Sequence, residues 1–418
     1  MSKILYLSYD GVKDQLGQSQ ILPYLIGLAE KGHHVTLVSF EKQEKEGKTI
    51  DVPDNIDWIP LKYHQSPPIL STVLDIQILK RTIKKLQPQK QFDIVHCRSY
   101  ITAMAGIWMK EQYNTKFLFD MRGFFPDERV EGELWKQDNP LYNQVYRYFK
   151  KRELEFLKMS DHIISLTYSG REEIINGNLF KGDGHQRPVK VAPEKITVIP
   201  TCVDTRHFDP ARVLTNITTT FERLQDTLED RMVISYVGST GTWYMMEEML
   251  FFFKRLLNVQ KSAVFLIITQ SSEDEIFKLA SRYNFPPGRL MVMPAERKQV
   301  PELLLLSDYS IFFIKPVFSK RASSATKMAE ALAMGIPIIT NRGWGDVEKI
   351  VEKSEAGLLV DELNPDAYDR AIRLMVKNIY YPENIRKIAN KYFSLKEGVE
   401  NYHQVYERLG RESLANKS

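Results

Sequence analysis

Residues 4–40 read ILYLSYDGVKDQLGQSQILPYLIGLAEKGHHVTLVSF. The apolar run at 4–8 predicts a buried strand, 20–31 a helix, and 35–40 a second strand, with Gly32 where a helix stop belongs. A helix between two apolar strands is a βαβ unit. Further apolar segments at 93–96, 116–119, 162–166 and 196–199 are separated by helix-length stretches. Strands alternating with helices imply a parallel sheet covered on both faces.

Near residue 204 the pattern restarts. Strand-like segments fall at 233–237, 263–269, 310–314 and 336–340, and helical ones at 244–257 and 275–283, with a short helix before the last strand. A chain of 418 residues exceeds what one core usually organises, so a second parallel-sheet domain of similar size is expected. Residues 176–193, rich in Gly and Lys, suggest a mobile loop, and residues 216–231 receive no assignment. At the C-terminal end, Ser394 and Glu397 have capping-box spacing, and Leu395, Val399, Tyr402, Val405, Tyr406 and Leu409 recur at helical spacing. That stripe requires a surface to dock on.

Hydrophobic content of 43% and charged content of 26% are ordinary for a folded soluble chain. A net charge of +4 argues against a dedicated nucleic-acid binder. The two cysteines, Cys97 and Cys202, have no metal-ligand spacing and read as reduced thiols of a cytosolic protein. No apolar stretch reaches membrane-span length, so the chain is expected to be soluble or to lie on a membrane surface. Lys80, Arg81, Lys84 and Lys85 on one helical stretch suit either a solvated face or anionic lipid headgroups.

In open parallel sheets ligands bind beyond the carboxyl ends of the strands, so the loops there are the places to look. Gly17 and Gln18, just before a helix, fit either an anion site or a plain loop. Gly238, Ser239, Thr240 and Gly241 follow the strand VISYV and suit a phosphate or a tight turn. In SSATKMAEALAMGIPIIT, residues 323–340, Thr326 is expected to cap a helix that carries Lys327 and Glu330. Glu330 could accept from a ribose diol while Ser323, Ser324 and Lys327 hold phosphate; the alternative is a solvated i,i+3 pair of Lys327 with Glu330.

The segment FDMRGFFPDERVEG, residues 119–132, concentrates Asp120, Arg122 and Glu128 beside Gly123. Such charge density suits a cleft lining or a set of structural salt bridges. His96 and Arg98 end the strand FDIVHCR and are secondary candidates on the acceptor side. No metal-ligand spacing is present.

At these residues the chain resembles the family-4 glycosyltransferases, retaining enzymes of the GT-B fold. VIPTCVDTRHF at 198–208, SYVGS at 235–239 and SSATKMAEALAMGIPIIT followed by GWGDVEKIV carry the likeness. The resemblance implies an α/β fold of two Rossmann-like parallel-sheet domains facing a cleft. Residues 1–203 would hold the acceptor, residues 204–390 the nucleotide sugar, and the helix at 391–418 would cross back to the first domain.

It further implies a nucleoside diphosphate sugar as donor, no cofactor or metal, a glycan or polyprenyl-linked acceptor, and work in the cytoplasm or on the inner membrane face. Glu330 matches the second glutamate of the family's Glu-x7-Glu motif, the ribose ligand; the first falls at Ala322. The cations that usually follow the YVG strand are missing from 238–244, leaving Lys320, Arg321 and Lys327 as replacements. Arg122 stands where many members have a histidine near the reacting sugar. An epimerase of the same fold and a non-catalytic nucleotide-sugar binder are the alternatives.

Overall fold

The computed structural model describes residues 2–42, 50–180 and 190–415. The chain divides into two compact units, Met1–Pro200 with Leu395–Ser418, and Thr201–Ser394.

In the first unit β1 (Lys3–Ser8), β2 (His34–Glu41), β3 (Ile56–Lys62), β4 (Ile94–Arg98), β5 (Lys116–Asp120), β6 (His162–Ser165) and β7 (Ile196–Val198) form a seven-stranded parallel sheet in the order β3-β2-β1-β4-β5-β6-β7. Ile4 pairs with Val35 on one side and Ile94 on the other, and the central strands are buried on both faces. The order reverses between β1 and β4, which puts this unit's switch point at their carboxyl ends.

The second unit repeats the design. Strands β8 (Val233–Val237), β9 (Val264–Ile268), β10 (Leu290–Met293), β11 (Tyr309–Ile311), β12 (Ile338–Asn341) and β13 (Gly357–Val360) run parallel in the order β10-β9-β8-β11-β12-β13, with the reversal between β8 and β11. Helices Met246–Leu256 and Pro365–Lys377 bury their apolar stripes in this core, where Phe313 stacks on Tyr368 and Phe252 meets both rings edge-on. Residues 216–231 contain the helix Thr219–Leu228, capped by Thr218 and buried through Phe221 and Leu228. Half of the expected loop at 176–193, residues 181–189, lies outside the described residues.

The final helix, Leu395–Ala415, belongs to the first unit. Of the stripe read from the sequence, Val399, Tyr402, Val405, Tyr406 and Leu409 are buried and Leu395, at its start, is half-buried. Val399 packs so closely on the helix Leu22–Glu30 that a Cβ on Gly27 would lie 2.7 Å from its methyl carbon. Cys97 and Cys202 are both buried free thiols, and burial pushes the Cys97 pKa well up, which keeps it unreactive.

Candidate functional site

The second unit's switch point is flanked by the connection after β8 and the connection after β11. Gly238 opens the first with a left-handed φ of +128°; Ser239 and Gly241 are exposed and the Thr240 amide donates to Ser271 Oγ at 3.0 Å. A Cβ on Gly238 would stand 2.9 Å from Lys327 Nζ, so the glycine lets the lysine lie against the loop. The two connections are tied by backbone bonds, Lys315 N–H to Trp243 O and Met245 N–H to Phe313 O, both 3.0 Å.

The helix Thr326–Ala333 starts one residue earlier than expected. Ala325 occupies the N-cap and no side chain caps the helix, so Thr326 is its first residue instead of its cap. The sequence alternative of a solvated face is overturned as well, because Lys327 and Glu330 are buried in a helix packed on all sides. Glu330 Oε1 accepts from Arg297 Nη1 at 2.8 Å, with Arg297 supplied by the single turn Arg297–Gln299. Burial raises the Glu330 pKa, opposed by Arg297 and Lys327.

Among the described residues Lys327 has no carboxylate in contact. Its ammonium donates to Tyr236 Oη at 2.9 Å and lies 3.2 Å from the ring centroid of Tyr244 and 4.2 Å from that of Tyr236. Burial drives its pKa well down, only partly countered by Glu330. Lys320, buried in the turn Phe318–Ala322, places Nζ 3.7 Å from the Trp243 ring centroid. Arg321 is exposed, and Ser324 is engaged by Thr201, whose hydroxyl donates to its carbonyl at 2.7 Å. The structure thus brings together Gly238, Lys327 and Glu330, with Lys320 on the neighbouring Trp243, while Ser324 serves the entry of the chain into the second unit.

In the first unit Asp120 ends β5 and is sealed from solvent. Its Oδ2 accepts from Tyr402 Oη at 3.0 Å and from His96 Nε2 at 3.4 Å, and Arg98 and Arg122 each place Nη1 3.9 Å from the carboxylate. Its Oδ1 is buried without a hydrogen bond. Burial alone would raise the Asp120 pKa, but Arg122, His96 and Arg98 outweigh it and hold it below the usual range. His96 is pulled down by burial despite Asp120, so a neutral ring donates through Nε2 and accepts from Tyr406 Oη at Nδ1, 2.7 Å away. Arg122 adopts φ +58° and is followed by Gly123 at φ +126°, above whose open side Glu128 sits. Asp120, His96 and Arg98 are therefore interior, and Arg122 and Glu128 are the members of this group with solvent access.

Gly17 has a local reason of its own. A Cβ there would lie 2.2 Å from the Gly11 carbonyl oxygen, so glycine is required by the chain's own backbone. Gln18 donates to Val12 O at 2.8 Å, closing the same loop. Among the described residues, the group of histidines and acids close enough to share an ion is His33, His403 and Glu407, under the final helix, where the two rings hydrogen-bond at 2.9 Å.

The family described as Glycosyltransferase Family 4 matches residues 24–207, and Glycosyl transferases group 1 matches residues 219–392. The chain is a glycosyltransferase of the GT-B fold. Among solved structures it is similar to sucrose-phosphate synthase from Thermosynechococcus elongatus (TM-score 0.73, 15% identity, 97% of this chain and 99% of that one covered). It is likewise similar to Anabaena HepE in complex with UDP and glucose (0.65, 12%, 97% and 100%) and to WaaG, a glycosyltransferase involved in lipopolysaccharide biosynthesis (0.68, 13%, 96% and 99%). At these identities the likeness is one of fold. No curated protein matches the sequence.

In this glycosyltransferase Ala322, standing where the motif's first glutamate would be, is buried. Reading the sequence missed Arg297, Tyr236, Trp243 and Tyr244. Arg297 lies 33 positions from Glu330 in a single helical turn, with no local pattern to mark it. The aromatic pair was legible as TWY directly after the glycine loop, yet Tyr244 was assigned to a helix that begins only at Met246.

Proposed function

We propose that the chain transfers a sugar, with retention, from a nucleoside diphosphate sugar to a glycan or polyprenyl-linked acceptor, in the synthesis of a surface or secreted polysaccharide. The observation that carries this reading is the buried pair at the second switch point, Glu330 on Arg297 and Lys327 on the tyrosine rings beside Gly238. Glu330, with Oε1 on Arg297, retains acceptor capacity for the ribose hydroxyls. Lys320 and Lys327 face the diphosphate, whose negative charge grows as the bond to the anomeric carbon breaks, so that fixed cations stabilise the transition state more than the ground state. The departing phosphate oxygen takes the acceptor proton. Arg122, held by Asp120 and flanked by Glu128, serves the reacting sugar or the acceptor from the first unit.

HepE, whose structure holds UDP and glucose, favours a UDP-sugar, and WaaG, involved in lipopolysaccharide biosynthesis, favours a glycan acceptor. Among the described residues no helix is long and apolar enough to cross a membrane. The helix Pro68–Lys90 exposes Leu70, Val73 and Leu74 ahead of Arg81, Lys84 and Lys85, a combination suited to anionic headgroups at the inner face.

A thermal-shift screen of UDP-, GDP- and ADP-sugars tests the donor site. One class is expected to raise Tm, and Glu330→Ala to remove most of that rise. A rise that survives Glu330→Ala unchanged overturns the ribose assignment.

A further inference from the structure

Among the described residues two histidines hold a carboxylate on a ring nitrogen, and they differ in what becomes of the other nitrogen. His96 is 1% exposed and spends its second nitrogen on Tyr406. His64 donates from Nδ1 to Asp75 Oδ1 at 2.5 Å, its side chain is 29% exposed, and no described residue engages its Nε2. One ring is sealed into the interior. The other ends in a nitrogen that reaches solvent.

Three elements bring this group together beyond the carboxyl ends of β1 and β3, the side on which an open parallel sheet binds its ligands. Tyr9 follows β1, His64 follows β3, and Asp75 lies in the helix Pro68–Lys90. Asp75 is fully buried, and among the described residues its ion-pair partner is His64, with no Lys or Arg beside it. Its Oδ2 accepts from Tyr9 Oη at 2.8 Å and from the His64 backbone N–H at 3.3 Å. Tyr9 is braced edge-on by Phe40 and Tyr63, with ring centroids 5.0 and 5.4 Å away, and the Tyr63 N–H donates to Glu41 O at 3.0 Å, tying the start of the loop to β2. The imidazole is thus held by ring and backbone at once. Because an ionised carboxylate only accepts, the ring proton is fixed on Nδ1 and Nε2 is left as an acceptor. Such an acceptor suits a hydroxyl.

We propose that His64 binds a hydroxyl of the acceptor sugar through Nε2, and that Asp75 and Tyr9 are positioning residues that fix its ring. The assignment rests on the transfer reaction proposed above and deepens its acceptor side, where His96 and Arg98 are interior. The hydroxyl held by His64 is not the reacting one, whose proton passes to the departing phosphate. His64 therefore selects among acceptors by where a neighbouring hydroxyl stands.

The test takes the full chain, the donor that raises Tm in the screen above, and octyl glucoside, galactoside, mannoside and N-acetylglucosaminide as acceptors, whose chains suit the exposed Leu70, Val73 and Leu74 of the same helix. Transfer is read by mass spectrometry. Asparagine reproduces Nδ1 and its bond to Asp75 without Nε2, whereas glutamine places an acceptor near the position of Nε2. His64→Asn is expected to raise the acceptor KM about tenfold, as far as His64→Ala does, with the donor KM and the unfolding transition unchanged. His64→Gln is expected to recover part of that loss. Parent-like transfer by His64→Asn overturns the proposal and leaves His64 a structural residue, and an equal rise in the donor and acceptor KM overturns it too. Donor binding by the parent with transfer to none of these glycosides overturns it and leaves the donor site standing. If no donor raises Tm, the transfer reading itself falls, and this assignment with it.

Discussion

The two units share a strand order and a switch point, yet they treat charge there in opposite ways. In the first unit Arg98 and Arg122 surround Asp120, with Tyr402 and His96 completing the shell. In the second, Lys320 and Lys327 rest on ring faces, and the nearby acid is committed to Arg297. The same fold therefore yields a carboxylate enclosed by cations in one half and a buried lysine resting on tyrosine rings in the other. A strand order supplies a place for a ligand, and the pairing of buried charges determines whether an anion is wanted in it.

The comparison breaks most readily at Asp120. Asp120→Ala removes the sealed carboxylate that Arg98 and Arg122 share, and removing one partner of a buried pair costs about 3–5 kcal/mol. Urea unfolding is expected to show that loss as a lower midpoint; a midpoint within error of the parent would mean that the first cluster is not self-neutralised.

A smaller effect of opposite sign is expected in the second unit. Lys327 pays for its burial with a depressed pKa, so Lys327→Met should raise stability by about 1–2 kcal/mol at neutral pH. The gain is expected to shrink as pH rises towards 10.5, where the unfolded lysine also loses its proton and the cost of burial vanishes. Stability measured against pH for both proteins checks the sign, and a gain that grows with pH would contradict it.

Smallest is the pair Lys31–Glu400, 2.6 Å apart and about one-third exposed on each side, which joins the final helix to the first unit. A double-mutant cycle should return less than about 1 kcal/mol. A larger coupling would mean that surface charge, more than the stripe of Val399, Tyr402 and Tyr406, holds that helix in place.

The interior strands were plain in the sequence because each is a short apolar run buried on both faces. The three strands not read, β3, β10 and β13, are all at sheet edges. There β3 interleaves Asp57 and Pro60 with its apolar residues, and β10 is only half-buried throughout. An edge strand has one ladder partner and is covered less, so its composition carries a weaker signal. The site divides along similar lines. Glu330 and Lys327 stood out because charged residues interrupt a small apolar helix. The sealing of Asp120 could not be read, since the hydroxyl that closes it belongs to a residue 282 positions later.

That distance has a consequence for the order in which the molecule is made. During synthesis the first two hundred residues emerge with their sheet strands complete but without Tyr402 and Tyr406. Asp120 and His96 wait, through the translation of the whole second unit, for the two hydroxyls that satisfy them. The half of the protein that begins first is the half that is finished last.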